Sequence, residues 1–144
     1  MNIAVILAGG SGTRMGNDVP KQFLKVAGKK VLEHTIEVFE NAKNIDEICI
    51  VSRTDYINEV ESIIINNGYT KVKKILSGGK ERYDSSLAAI NAYPTNNHNL
   101  LFHDAVRPLL TERIIDDCLT ALNQYNAVDV AIKTTDTIIQ VDNN

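Results

Sequence analysis

Residues 3–23 read Ile3-Ala4-Val5-Ile6-Leu7-Ala8-Gly9-Gly10-Ser11-Gly12-Thr13-Arg14-Met15-Gly16-Asn17-Asp18-Val19-Pro20-Lys21-Gln22-Phe23. The apolar run Ile3 to Leu7 suits a strand, and it passes at once into a loop holding four glycines, Gly9, Gly10, Gly12 and Gly16. Glycine tolerates positive φ and lets the backbone approach a ligand closely, so successive N–H groups of such a loop can converge on phosphate oxygens. Arg14 and Lys21 stand seven residues apart in it, with Pro20 fixing the backbone just before the lysine. Two cations at a phosphate cradle point to chemistry at phosphorus.

Spacing separates the possible readings of the loop. A P-loop ends in Gly-Lys-Ser/Thr, whose lysine reaches the phosphates and whose hydroxyl holds Mg²⁺; Thr13-Arg14-Met15 stands there instead. A dinucleotide fingerprint would need its third glycine where Met15 stands, and an acidic residue ending the second strand, where Ile50-Val51-Ser52-Arg53 is found.

Outward from the loop, apolar residues alternate between helical and strand-like patterns. Helices are predicted over 31–40, about 55–67 with Gly68 as the stop, 82 to about 93 with Leu87, Ala89 and Ile90 inward, and from Thr111 as N-cap to about Tyr125. Strands are predicted over 47–52, 72–76, 99–103, 128–132 and 137–141. Strands alternating with helices imply right-handed βαβ units, hence an α/β fold with a three-layer α/β/α, Rossmann-like arrangement around a mostly parallel sheet. Ligands then bind beyond the carboxyl ends of the strands. Three loops fall there: Gly9 to Gly16, Ser77-Gly78-Gly79-Lys80-Glu81-Arg82, and His103-Asp104-Ala105-Val106-Arg107-Pro108.

The 144 residues, 44% hydrophobic and 23% charged, suffice for one core and one domain. A formal net charge of −3 with no basic block argues against a nucleic-acid surface, and no apolar run approaches membrane-spanning length. With no signal-like N-terminus, a cytoplasmic protein is expected. Cys49 and Cys118 each lie within an apolar pattern, away from metal-ligand spacing, and read as buried thiols.

On the residues alone, Asp104 has two readings: a ligand for Mg²⁺, whose other positions triphosphate oxygens and water fill, or a partner of Arg107 across a tight turn. His103, beside an apolar strand, reads as a satisfied core histidine.

Leu7 to Phe23 resembles the signature of nucleotidyltransferases that activate phosphorylated sugars and polyols, and its Pro-Lys-Gln ending looks like the polyol-phosphate cytidylyltransferase branch. His103 to Pro108 resembles that branch's second signature, His-Asp-Ala-x-Arg-Pro, and Gly78 to Ser85 its Gly-Gly-x-x-Arg-x-x-Ser segment. The resemblance implies the nucleotide-diphospho-sugar transferase type of fold, CTP and a polyol phosphate as substrates, Mg²⁺ as cofactor, and a homodimer at full length. It implies catalytic roles for Arg14 and Lys21, and a metal ligand in Asp104. Nucleotide and substrate contacts are implied at Ala8, Gly9, Gly10, Ser11, Gly12, Thr13, Gly79, Lys80, Ser85, Arg107 and Thr137. Where family members often carry aspartate, this chain has Lys80. In the family the chain continues past Asn144, so residues 1–144 are expected to be a single nucleotide-binding catalytic domain cut short at its C-terminus.

Two acceptors fit, 2-C-methyl-D-erythritol 4-phosphate and D-ribitol 5-phosphate; Ala127-Val128-Asp129 and Arg107-Pro108-Leu109-Leu110-Thr111 lean toward ribitol. The alternatives are a non-catalytic nucleotide- or dinucleotide-binding module, or a nucleotidyltransferase for another sugar phosphate.

Overall fold

The computed structural model describes residues 1–10, 19–95, 97–133 and 135. Strand β1 (Asn2–Ala8) is buried from its second residue to its last, as a strand with neighbours on both edges and helices on both faces must be. It pairs in parallel with β4 (Glu47–Ser52) on one edge and β6 (Asn99–Asp104) on the other, and β4 pairs in parallel with β5 (Val72–Ser77). The order β5-β4-β1-β6 reverses direction at β1, which puts a topological switch point between β1 and β6. A two-residue antiparallel hairpin, β2 (Lys25–Val26) and β3 (Lys29–Lys30), turns through Ala27 and Gly28, both at positive φ as a primed turn requires.

Alternation along β1 sorts the core into two layers. Ala4, Ile6 and Ala8, with Ile48 and Ile50 of β4, pack under Leu32, Ile36 and Phe39 of α1 (Val31–Asn41), Val60 and Ile63 of α2 (Ile57–Asn67) and Ile115 of α4 (Glu112–Leu122). Ile3, Val5 and Leu7, with Cys49 and Val51, face α3 (Arg82–Ala92) through Ala89 and the following Tyr93. Gly68 closes α2 in the left-handed region at φ 65°, its N–H bonding to Ile64 and Ile65. Burial pushes the Cys49 thiol up to about 11. No helix among the described residues is long and apolar enough to cross a membrane.

Three expectations are corrected, and a fourth, Thr111 as the N-cap of α4, holds in position without a side-chain bond. Residues 128–132 form no strand: Val130 is 62% and Ile132 94% exposed, because no described strand runs beside this segment to satisfy its backbone. On α3, Ser85, Ala89 and Tyr93 recur at i, i+4 and i+8 and take the buried stripe, which turns Leu87 and Ile90 outward. Thr111 occupies the N-cap of α4, yet its hydroxyl makes no cap bond; its carbonyl accepts from Ile114 and Ile115. Cys118 is half-buried rather than buried, since the strongly amphipathic α4 seats only Ile115 fully in the core. Residues 137–141 lie outside the described residues.

Candidate active site

The carboxyl ends of β1, β4, β5 and β6 open onto one cleft of about 1050 Å³, lined at its base by Leu7 and Ala8 and around its rim by Gly9, Gly10, Lys21, Gly79, Lys80, Ser85 and Asp104. Eight of the residues singled out in the sequence therefore meet there, and a ninth, Arg107, touches Asp104. Ser11, Gly12, Thr13, Arg14 and Thr137 lie outside the described residues.

The base of the glycine loop is tied by a residue that sequence reasoning left without a role. Gln22, 3% exposed, donates from Nε2 to the carbonyls of Ala8 at 2.7 Å and Gly10 at 3.1 Å. The turn Lys21–Phe23 that carries it is fixed by Phe23 N–H donating to Pro20 O, and by Phe23 stacking on Tyr56 with centroids 5.0 Å apart. This brings Lys21 to the rim of the cleft. The one available signal was a long polar side chain wedged between Pro20 and Phe23 at the end of the motif. Gly9 and Gly10 are not at positive φ, which corrects the expectation of left-handed backbone for this part of the loop; positive-φ glycines among the described residues are Gly28 and Gly68.

The second glycine pair packs against the first turn of α3. The Gly78 N–H donates to Ser52 O at 2.7 Å, and the Glu81 N–H donates to the Asp84 carboxylate at 3.0 Å, which curls that side chain over Gly79. A Cβ on Gly79 would lie 2.2 Å from Asp84 Cβ, and one on Gly78 2.6 Å from Ser85 Oγ. Ser85, 5% exposed, sits between Gly9 and Gly78 and joins the first loop to the second. The amino end of α3 faces the cleft, its first turn closed by a capping box in which the Glu81 side chain accepts from the Asp84 N–H and the Asp84 carboxylate accepts from the Glu81 N–H.

At the end of β6, both oxygens of Asp104 are engaged. Arg107 Nη2 lies 3.1 Å from Oδ2, the turn pairing foreseen for this motif, and Arg82 Nη2 lies 3.3 Å from Oδ1. His103 stacks edge-on against Phe39 and bonds through Nε2 to Arg107 O at 2.9 Å, a satisfied histidine as expected. Arg53, also on the rim, pairs with Asp55 at 2.8 Å. Among the described residues Lys21 and Lys80 have no ion-pair partner, so their charge is available to a ligand. A cleft bearing two such cations, with glycines at two of the strand ends that form it, suits a nucleoside polyphosphate.

The family model described as 2-C-methyl-D-erythritol 4-phosphate cytidylyltransferase matches residues 2–144. The chain belongs to this family. Among similar proteins, a bifunctional ribulose 5-phosphate reductase/CDP-ribitol pyrophosphorylase of Haemophilus influenzae is 52% identical over 99% of the chain and 31% of its own length. A 2-C-methyl-D-erythritol 4-phosphate cytidylyltransferase of Thermobifida fusca is 42% identical over 96% of the chain and 56% of its own length. The chain thus spans less than two thirds of these cytidylyltransferase relatives. The crystal structure of 4-diphosphocytidyl-2C-methyl-D-erythritol synthase from Anaerococcus prevotii superimposes with a TM-score of 0.81 at 31% identity, covering 99% of this chain and 59% of that one. The resemblance read from the glycine loop and the His103–Pro108 segment, and the α/β fold it implied, are borne out.

Proposed function

We propose that these residues form the nucleotide-binding part of a CTP-dependent cytidylyltransferase that joins CMP to a polyol phosphate and releases pyrophosphate. The observation that carries this reading is the convergence of Gly9–Gly10, Gly78–Ser85 and Asp104 on one cleft with Lys21 at its rim. A phosphate oxygen of the acceptor forms a bond to the α-phosphorus of CTP as the bond from that phosphorus to the β-phosphate oxygen breaks. The nucleophile is already an anion and needs no general base, so catalysis rests on positioning and on stabilising charge at phosphorus. Lys21 supplies a cation to the α-phosphate oxygens, and family likeness assigns Arg14 to the triphosphate. Backbone groups at Gly79 and Lys80, with Ser85, read the cytosine and ribose. Gln22 holds the ends of the loop at a fixed separation.

Mg²⁺ fits Asp104, a half-buried carboxylate at a strand end that can take one position while phosphate oxygens and water take the others. The described residues contain no cluster of three acidic, histidine or cysteine ligands, which agrees with a cation carried mainly by its nucleotide. When bound, the cation neutralises charge on the phosphates and leaving group.

D-ribitol 5-phosphate is the proposed acceptor, supported by the 52% identity to the CDP-ribitol pyrophosphorylase against 42% to the Thermobifida fusca enzyme. The description of the matching family favours 2-C-methyl-D-erythritol 4-phosphate as the second reading. Pyrophosphate release by the protein with CTP and each polyol phosphate decides between them. Ribitol 5-phosphate is expected to give the higher kcat/KM, and a preference for the methylerythritol compound would transfer the assignment. Activity with neither acceptor, together with tighter binding of NADH than of CTP, would overturn the cytidylyltransferase reading.

A further inference from the structure

Asp104 is held by two guanidinium groups from different loops. Arg107 comes from the turn that follows β6, whereas Arg82 comes from the first residue of α3, directly after the Gly78–Gly79 turn. Arg82 approaches Oδ1 through both Nη2 at 3.3 Å and Nε at 3.4 Å, leaving Oδ2 to Arg107. One carboxylate with two guanidiniums is a locally cationic group, and neither oxygen is free of a competing charge. The arginine side chains are 66% and 74% exposed against 28% for Asp104, so each pair is readily exchanged.

We propose that Arg82 is a positioning residue that occupies the cation side of Asp104 until the nucleotide arrives, coupling cation binding at β6 to nucleotide binding at the amino end of α3. This rests on the reading of Asp104 as the cation ligand. Without nucleotide, a divalent cation must displace a guanidinium from Oδ1 against the charge of the second one, and it binds weakly. A triphosphate entering the cleft offers both arginines oxygens of its own, which frees the carboxylate for the cation that the nucleotide carries. By linkage, the cation and the nucleotide each strengthen binding of the other by the same factor. Arg82 lies within the Gly-Gly-x-x-Arg-x-x-Ser segment, yet it points across the cleft to the other signature.

The test is Mn²⁺ binding to the protein without nucleotide, followed by the resonance of free Mn²⁺, in the wild type and in Arg82→Ala, Arg82→Lys and Asp104→Asn. Arg82→Ala is expected to bind Mn²⁺ about threefold more tightly than the wild type, the scale of an exposed ion pair. Arg82→Lys should return the affinity toward the wild-type value. Asp104→Asn should abolish the site both alone and combined with Arg82→Ala. If Asp104→Asn leaves Mn²⁺ binding unchanged, the cation reading of Asp104 fails, and with it this proposal. If Asp104→Asn removes the site but Arg82→Ala leaves the affinity unchanged or weaker, Asp104 stands as the ligand and the role of Arg82 is overturned. Because Arg82 is largely exposed, the melting temperature should stay within about 2 °C in both of its variants, so any change in affinity is not a folding effect.

Discussion

A methyl group added at Gly79 would lie 2.2 Å from Asp84 Cβ and one at Gly78 2.6 Å from Ser85 Oγ, whereas at Gly9 the nearest described atom is 3.5 Å away and at Gly10 none comes within 4 Å. Both glycine pairs end a parallel strand and both line the same cleft. At β5 the protein itself fills the space a side chain would need, because Asp84 and Ser85 fold back over the turn. At β1 the described protein leaves room for a side chain, with an ordinary contact to Ser85 at Gly9 and open space at Gly10, and neither glycine needs its freedom of φ. A glycine required by packing and a glycine beside open space look alike in a sequence. They differ in what their substitution should damage: stability in the first case, ligand binding in the second.

The largest effect is expected beside the open pair. Lys21→Ala should lower kcat by about two to three orders of magnitude with a smaller change in CTP affinity, the scale of losing a donor to a developing oxyanion. Steady-state rates paired with CTP titration check this, and retained turnover with lost affinity would reduce Lys21 to a binding residue. Next comes the packed pair: Gly79→Ala should cost about 1–3 kcal/mol of stability through overpacking against Asp84, seen as a melting temperature several degrees lower. Unchanged melting would mean that the α3 turn yields easily and the contrast is false.

Gln22→Ala should destabilise by about 1–2 kcal/mol, since it strands the buried carbonyl of Ala8. It should also weaken CTP binding, because the ends of the loop are no longer tied. A denaturant midpoint that moves without any change in CTP affinity would limit Gln22 to the fold. Gly10→Ala should change stability least, within about 0.5 kcal/mol, while still reducing CTP affinity. If Gly10→Ala binds CTP as the wild type does, the open space beside β1 is not where the nucleotide lies.

What the sequence made legible follows from the same distinction. β1, β4, β5 and β6 and all four helices could be read because each carries an apolar period bounded by a glycine, a proline or a polar cluster. The strand predicted over 128–132 failed because an apolar run becomes a strand only beside a partner, and partners are a property of the whole fold. Motif spacing singled out Lys21, Gly79, Lys80, Ser85, Asp104 and Arg107, which lie at the cleft or, for Arg107, against Asp104. Gln22 and Arg82 stood inside the same motifs without assigned roles, since a polar side chain shows no periodicity that says whether it reaches a backbone carbonyl or a carboxylate across the cleft. The buried stripe of α3 was misread for a related reason: Leu87 and Ile90 outweigh Ser85 and Ala89 in hydrophobicity, but the close approach of α3 to the sheet favours the small residues.

The most direct measurement is hydrogen exchange of the protein with and without CTP and a divalent cation. Protection is expected together at residues 8–10, 78–85 and 104–107, with little change in a second hollow, away from the cleft, lined by His34, Glu37, Asn41, Leu110 and Glu112, and with a weaker response to UTP or NADH. Protection confined to a different surface, or equal protection by NADH, would contradict a cytidine triphosphate site built from these three strand ends.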